Sequence, residues 1–339
     1  MPVLAFPTTK EITHVVRNRT VDPKRFIGRS FCPIREVYSA EIEFDVIEAG
    51  AGMTSAHNLG SDPKMVKLPG MKTKKVGTGY FKETKRIDEK ELLYARAAGS
   101  YNQRAGRLLV VEKALQLDNR LDTRVEWLTW QPLIEGHIQI DENGVKYNVS
   151  YDLPETNTPA ITDNAKKWSN VDADIVGDIT KWMLLYRGTG AKATKAYFNM
   201  KVAGYIAANK GIKDLLKNTS YAGFLSAVNI TNALKLLFPD IEFVIYDEGY
   251  VDEESTFKPF IPDNGFIMVG EGQPGELMMD FGTTISLHNG GLDQPQPGKF
   301  SIVDDKSEQE KNPFVDITVG IYGLPRLYHP NWVVSAKVC

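Results

Sequence analysis

The residues that could do chemistry are few and scattered. Five histidines, His14, His57, His137, His288 and His329, stand singly, none within five residues of another. A zinc hydrolase needs two histidines one helical turn apart around a glutamate, and a structural zinc site needs paired cysteines. The chain has neither, only Cys32 and Cys339. The histidines read as surface or turn residues, Cys32 as a packed thiol, and Cys339 as an accessible terminal residue. The run Arg187, Gly188, Thr189, Gly190, Ala191, Lys192 sets one residue between its glycines where a phosphate loop needs four, so it reads as a helix C-cap and turn. Gly77-Thr78-Gly79 has no following helix to supply a dipole. Trp127 and Trp130 are three apart in a helical stretch and read as packing residues. Adjacent carboxylates such as Asp247 and Glu248 could do acid–base work, but no nucleophile or base stands beside them in sequence. No catalytic residue, metal ligand or cofactor is expected.

Two charge clusters stand out instead. Residues 62–86 carry Lys64, Lys67, Lys72, Lys74, Lys75, Lys82, Lys85 and Arg86 against Asp62 and Glu83. Residues 240–263 carry Asp240, Glu242, Asp247, Glu248, Asp252, Glu253, Glu254 and Asp263 against Lys258. Each run by itself could be a solvated face. The basic run could also neutralise phosphates, but only Tyr80 and Phe81 supply aromatic interleaving. A third reading fits better: a basic loop of one subunit meeting an acidic surface of the next, where opposite potentials fix register and suppress wrong partners. Lys72, Lys74 and Lys75 facing Asp247 and Glu248 are the expected contact residues.

The elements that must carry these residues follow from pattern. The 339 residues hold 40 basic and 43 acidic side chains for a net charge of -3, with 42% hydrophobic residues. That is ordinary globular composition, long enough for a core without disulfide or metal staples, and it is not the basic balance of a duplex-DNA reader. No apolar run approaches the roughly 18 residues of a membrane span, and the first seven residues lack the basic start of a signal peptide. The chain is therefore expected to be made in the cytoplasm, and its Asn-x-Ser/Thr triplets carry no glycan.

Residues 1–35 show no period and read as an arm ordered by whatever covers it. Residues 37–46 alternate as a half-buried strand. Residues 49–87 are a long connection punctuated by glycine and proline, of a kind usually functional. Asp88 with Glu91 resembles a capping box for a short helix closed by Gly99. Residues 103–131 form the strongest helix, with Leu108, Val111, Ala114 or Leu115, Leu121, Val125 and Leu128 on one face, stopped by Pro132 and Gly136. Residues 137–149 form a hairpin about Asn143-Gly144. Helices are expected over 173–186 and 226–237, and strands over 196–198, 241–246 and 266–269. Residues 291–313 read as a surface loop, and the tail 315–338 as two strands broken at Gly323, Pro325 and Pro330. The class is α+β.

One stretch is more specific. Phe260, Ile261, Pro262, Asp263, Asn264 and Gly265, leading into the hydrophobic residues 266–269 and preceded by Tyr246, Asp247 and Tyr250, resembles the lambda-type tailed-phage major capsid protein family, capsid protein E. The closing residues Gly323, Leu324, Pro325, Pro330, Val333, Val334 and Val338 are similar to that family's last strands. The resemblance implies the Hong Kong 97-type capsid fold. On it, residues 1–35 would be the N-terminal arm, 36–87 a strand and the extended E-loop, and 88–150 the peripheral domain with its long spine helix and hairpin. Residues 151–310 would be the axial domain, and 311–339 strands returning to the peripheral domain.

It further implies a structural protein of the virion that assembles with itself into hexamers and pentamers of an icosahedral head around the genome. Its partners would be a separate scaffold protein, a portal and a decoration protein, with non-specific contact to packaged double-stranded DNA and none to membranes. The alternatives are an encapsulin-like compartment shell and, from another class, a soluble enzyme with an acidic site near 240–263.

Overall fold

The structure, a computed structural model, describes residues 7–47, 52–62, 65, 70–94, 103–142, 144–221, 225–306 and 312–339. In chain order it holds α1 (Thr9–Asn18), β1 (Ile34–Val37), β2 (Glu41–Ile47), β3 (Met71–Gly77), β4 (Tyr80–Asp88), α2 (Glu89–Tyr94) and α3 (Gln103–Ile134). The hairpin strands β5 (His137–Glu142) and β6 (Val145–Ser150) come next, then α4 (Ile175–Leu184), β7 (Lys192–Phe198), α5 (Met200–Ala208), α6 (Lys210–Leu216) and α7 (Ile230–Leu237). The chain continues through β8 (Glu242–Ile245), β9 (Gly249–Val251), β10 (Phe257–Pro259), β11 (Gly265–Glu271) and β12 (Met279–Ser286). It closes with β13 (Gln296–Pro297), β14 (Phe300–Asp305), β15 (Phe314–Leu327) and β16 (Val333–Lys337).

The chain divides into two compact units, one of Met1–Glu43, Lys75–Trp127 and Phe281–Arg326, the other of Phe44–Lys74, Leu128–Asp280 and Leu327–Cys339. In the first, β1, β12, β15 and β14 lie side by side, with β4 also on β15 and β13 on β12. β15 organises this sheet. Its early residues pair antiparallel with β14, from Phe300↔Gly320 to Asp305↔Val315, and with β4, from Tyr80↔Tyr322 to Asp88↔Phe314. Val315, Ile317, Val319 and Ile321 alternate inward and are buried, the period expected of a strand with one face in the core.

Four sequence expectations change here. The tail does not break at Gly323 and Pro325, because β15 runs through both. Gly323 is where the carbonyl of Gly282 approaches so closely that a Cβ would sit 2.4 Å from it, and the fixed φ of proline is tolerated in extended backbone. The 291–313 stretch is not all surface loop, since β14 carries the buried Phe300 and Ser301. The first 35 residues are not aperiodic. Thr8 and Glu11 form a reciprocal capping box that starts α1, and Ile12 and Val16, one turn apart, are buried. The alternating stretch expected over 37–46 is two strands, with residues 38–40 between β1 and β2.

α3 is 32 residues long, about 48 Å at 1.5 Å per residue. It passes Pro132 and ends before Gly136, which takes φ +69°. Proline deletes one intrahelical bond, and so near the C-terminus that loss does not end the helix. The buried apolar stripe is Val110, Ala114, Leu117, Leu121 and Val125, with Leu128 beyond them; Leu108 is instead 60% exposed. In the hairpin after it, β5 and β6 pair from His137↔Ser150 to Glu142↔Val145, and Gly144 takes φ +76° in the turn. Asn143 and Gly99 lie outside the described residues.

The second unit is built on the sheet β16-β11-β7-β8, antiparallel except for the β7–β8 pair. β11 is buried from Gly265 to Gly270, as a strand covered on both faces must be. Three short helices are set by their first residues: Asp174 accepts from Gly177 N, Asn199 from Val202 N and Asn209 from Ile212 N. Such side chains satisfy amides that a helix start leaves open. Neither α5 nor α6 was expected, being short and containing Gly204 and Gly211. Trp130 is wholly buried here, 5.2 Å from Tyr197 and 5.5 Å from Tyr246 between ring centroids.

Candidate functional site

The residues marked by the sequence sit on β3 and on the turn after β8. β2 and β3 form a two-stranded sheet of their own. Across it, Lys75 pairs with Glu41 at 2.6 Å and Glu43 at 3.1 Å, and Thr73 donates to Asp45 at 2.6 Å. Hydrogen bonds to Glu41 and then Glu43 push the Lys75 ammonium above its usual value. Lys74 pairs with Asp152 at 2.8 Å and donates to the Ser150 carbonyl at 2.7 Å. The Lys74–Asp152 hydrogen bond is the main reason the Asp152 carboxyl is held below its ordinary range, and the charges of Lys74 and Lys72 add to it. Lys72 is exposed. Lys75 thus closes its own strand pair, Lys74 ties β3 to the end of β6, and Lys64 and Lys67 fall outside the described residues.

The acidic run is equally engaged in building its own surroundings. Asp247 accepts from the backbone N–H of Met200 at 3.3 Å, at the start of α5, where a negative group meets the positive end of the helix dipole. Glu248 is exposed, and its carbonyl accepts from Phe260 N at 2.9 Å. Asp252 accepts from the amides of Glu254 and Thr256 and pairs with Lys258 at 2.8 Å. Asp263 accepts from Asn199 at 2.8 Å and pairs with Lys201 at 3.1 Å. The family-like run is structural in the same sense. Phe260 stacks on Tyr246 at 5.9 Å, Ile261 is buried, the Pro262 carbonyl accepts from Gly265 N, and the Asn264 carbonyl accepts from Val338 N. Within the chain, Lys74 is paired with Asp152, Lys75 with Glu41 and Glu43, and Asp247 serves the start of α5.

Sequence reasoning missed the densest charge cluster. Asp118, Asp122 and Glu126 lie four residues apart on one face of α3 and are 0% exposed. Arg19 reaches Asp118 at 2.9 Å and Asp122 at 2.5 Å, Arg29 reaches Asp122 at 2.6 Å, and Lys299 reaches Asp118 at 2.5 Å and Asp122 at 2.7 Å. Glu126 accepts from Gly28 N at 2.7 Å. Burial pushes the Asp118 carboxyl above the usual range, against the pull of Lys299. The spacing was visible in the sequence, but acids at helical spacing ordinarily face water.

Among the described residues no group of three or more His, Cys, Asp or Glu side chains is arranged to hold a metal ion, and no helix is long and apolar enough to cross a membrane. His329 is buried and stacks on Trp332 at 3.8 Å. Cys32 is buried and Cys339 half-buried. Gly188 and Gly190 take φ +78° and +84° in the turn after α4, which accounts for the glycines of that run.

Comparison with known proteins gives one family and one fold. The family model described as phage major capsid protein E matches residues 8–338. Among solved structures, a capsid protein of a prophage of Escherichia coli CFT073 is 18% identical, with a TM-score of 0.58 over 79% of this chain and 80% of that one. The capsid of cyanophage P-SCSP1u is 9% identical, with a TM-score of 0.54 over 95% and 90%. The capsid of the Myoviridae phage XM1 is 13% identical, with a TM-score of 0.51 over 99% and 100%. These likenesses are of fold, the Hong Kong 97-like arrangement of mixed helices and strands.

Proposed function

The chain belongs to the phage major capsid protein E family, and from that premise we propose that it acts by self-assembly into hexamers and pentamers of the icosahedral head of a tailed phage, with no catalytic step of its own. The observation that carries this reading is the β2–β3 pair. A two-stranded sheet is marginal in water by itself, and in the connection between its strands Met53, Leu59 and Met65 are almost wholly exposed. Apolar side chains so presented on a soluble subunit are suited to a surface that another copy covers. In this reading residues 36–87 reach a neighbour as the E-loop, residues 1–35 are the arm, and α3 is the spine of a peripheral domain spanning 88–150. Residues 151–310 are the axial domain, and 311–339 return to the peripheral domain. A separate scaffold protein, a portal and a decoration protein complete the head, and packaged double-stranded DNA meets the inner wall without sequence preference. The subunit is made in the host cytoplasm.

Lys72, Lys74 and Lys75 remain the proposed basic partners of Asp247 and Glu248 on the next subunit. Lys75 also serves its own strand pair and Lys74 the end of β6, so the compensating double change bears the test. Lys72→Glu is expected to reduce shell yield, and Lys72→Glu with Glu248→Lys to restore it; full assembly of the single variant refutes the pairing. The function itself is tested by negative-stain microscopy and sedimentation of the chain, expressed with and without its neighbouring genes. Closed shells, tubes or free hexamers are expected. A monomer under every condition overturns the proposal.

A further inference from the structure

The buried acids of α3 are covered by the segment preceding β1. Residues 7–33 supply Arg19 and Arg29 to the row and the Gly28 amide to its last member, and Lys299 enters from the turn before β14. Arg17 holds that turn, donating to the carbonyls of Lys299 at 2.7 Å and Pro297 at 2.9 Å. Among the described contacts, Arg19, Arg29 and Lys299 match the three acids of the row in number. The contacts joining α1 to β14 run through side chains: Val303 N donates to Thr9 Oγ1, Ser301 N to Thr13 Oγ1, and the Thr13 and Ser301 hydroxyls bond each other at 2.8 Å. Where the segment ends it gains a backbone anchor, as Phe281 N bonds the Pro33 carbonyl and β1 enters the sheet beside β12.

From this arrangement we propose that residues 7–33 are a detachable strap, closed on α3 by a charge-balanced clasp and able to leave and return about residue 33 while the sheet beneath stays folded. An apolar seam would resist opening, because uncovering it exposes hydrocarbon to water. Carboxylates behave differently. A buried ion pair roughly balances lost hydration against Coulomb attraction, so opening returns that hydration to both sides at little net cost. The clasp therefore gives the strap one defined seat without binding it irreversibly. The buried apolar side chains of the seat are Pro7, Ile12, Val16, Phe26 and Cys32. At the α1 end a groove of about 230 Å³ lies open among Pro7, Ile12, Val15, Leu108 and Val111. Between the two parts, residues 22–25 are exposed. When the strap opens, α3 presents three carboxylates in a row, so the same chain has two surfaces.

The test is hydrogen–deuterium exchange, read by mass spectrometry, on the full chain at neutral pH. In the unaltered protein, peptides from residues 9–32 are expected to exchange at least about tenfold faster than the β4–β15 ladder of the same unit, since a strap that opens locally needs no opening of the sheet. Asp122→Asn takes a charged partner from Arg19, Arg29 and Lys299 at once. It should speed strap exchange by about a hundredfold and leave β4–β15 unchanged. Trypsin should then cut after Lys24 and Arg25 while the remainder stays intact. Strap and ladder exchanging together in the unaltered protein overturns the proposal, and that result needs no variant. Asp122→Asn accelerating both equally overturns it as well, since the cluster would then be part of one cooperative core.

Discussion

Trp130 and Trp127 look alike in sequence, three residues apart on one helix, yet they should respond very differently to truncation. Trp130 is 0% exposed and packs edge-on to Tyr197 at 5.2 Å and tilted against Tyr246 at 5.5 Å. Replacing a buried tryptophan by alanine costs about 3–5 kcal/mol for lost transfer energy and the cavity left behind. Each aromatic pair adds about 0.5–1.5 kcal/mol beyond area. Trp130→Ala should therefore cost about 4–8 kcal/mol, a large share of the roughly 5–15 kcal/mol that a folded domain has in hand. Trp127 is half-buried with the Arg124 guanidinium 5.3 Å above its ring, and losing it should cost about 1–2 kcal/mol. Urea unfolding followed by far-ultraviolet circular dichroism reads the difference. With a slope of about 3 kcal/mol/M, Trp130→Ala should lower the midpoint by more than about 1 M, with the slope unchanged. A cost below about 2 kcal/mol for Trp130→Ala, or equal costs for the two variants, would refute the packing argument.

His329 is neutral in the fold because burial pushes its imidazole below its ordinary value, with Glu276 opposing more weakly. Its folded pKa lies below the unfolded one of about 6.5, so the unfolded chain takes the proton first and stability falls as pH drops through that value. Thermal melting between pH 7.5 and 5 should show a shallower loss in His329→Gln than in the unaltered protein; equal slopes count against this assignment. Asn199→Ala removes both the α5 cap and a hydrogen bond to Asp263 and should cost about 2 kcal/mol in urea unfolding. Asn199→Asp keeps the cap but sets a second carboxylate beside Asp263, and Asp263→Asn should rescue it. Lys75→Glu should loosen the β2–β3 pair, seen as faster amide exchange in β3. Adding Glu41→Lys should restore protection if the contact within the chain is what matters.

The candidate contact residues were legible as charge runs, yet their partners were not. Lys75 meets Glu41 and Glu43 only because β2 and β3 pair across a long connection, and Asp247 serves α5 only because the chain returns there from β8. Periodicity found α3 and the hairpin, where each residue's neighbours lie within one or two turns of chain. It missed α5 and α6, whose stability rests on the Asn199 and Asn209 caps and on packing more than on length. It also split β15 at glycine and proline, where the strand in fact continues beside β12.

Sequence by itself determined the α+β class, the long helix, the turn chemistry of the 137–150 hairpin and the family-like run at 260–265. All of these are written in local spacing and in side chains acting on their own backbone. Only the tertiary structure decided that Asp118, Asp122 and Glu126 are interior. Their partners lie far away in the chain, Arg19 103 residues from Asp122 and Lys299 177 residues from it. A carboxylate is buried only where opposite charge arrives to replace its water, and no local pattern records that arrival.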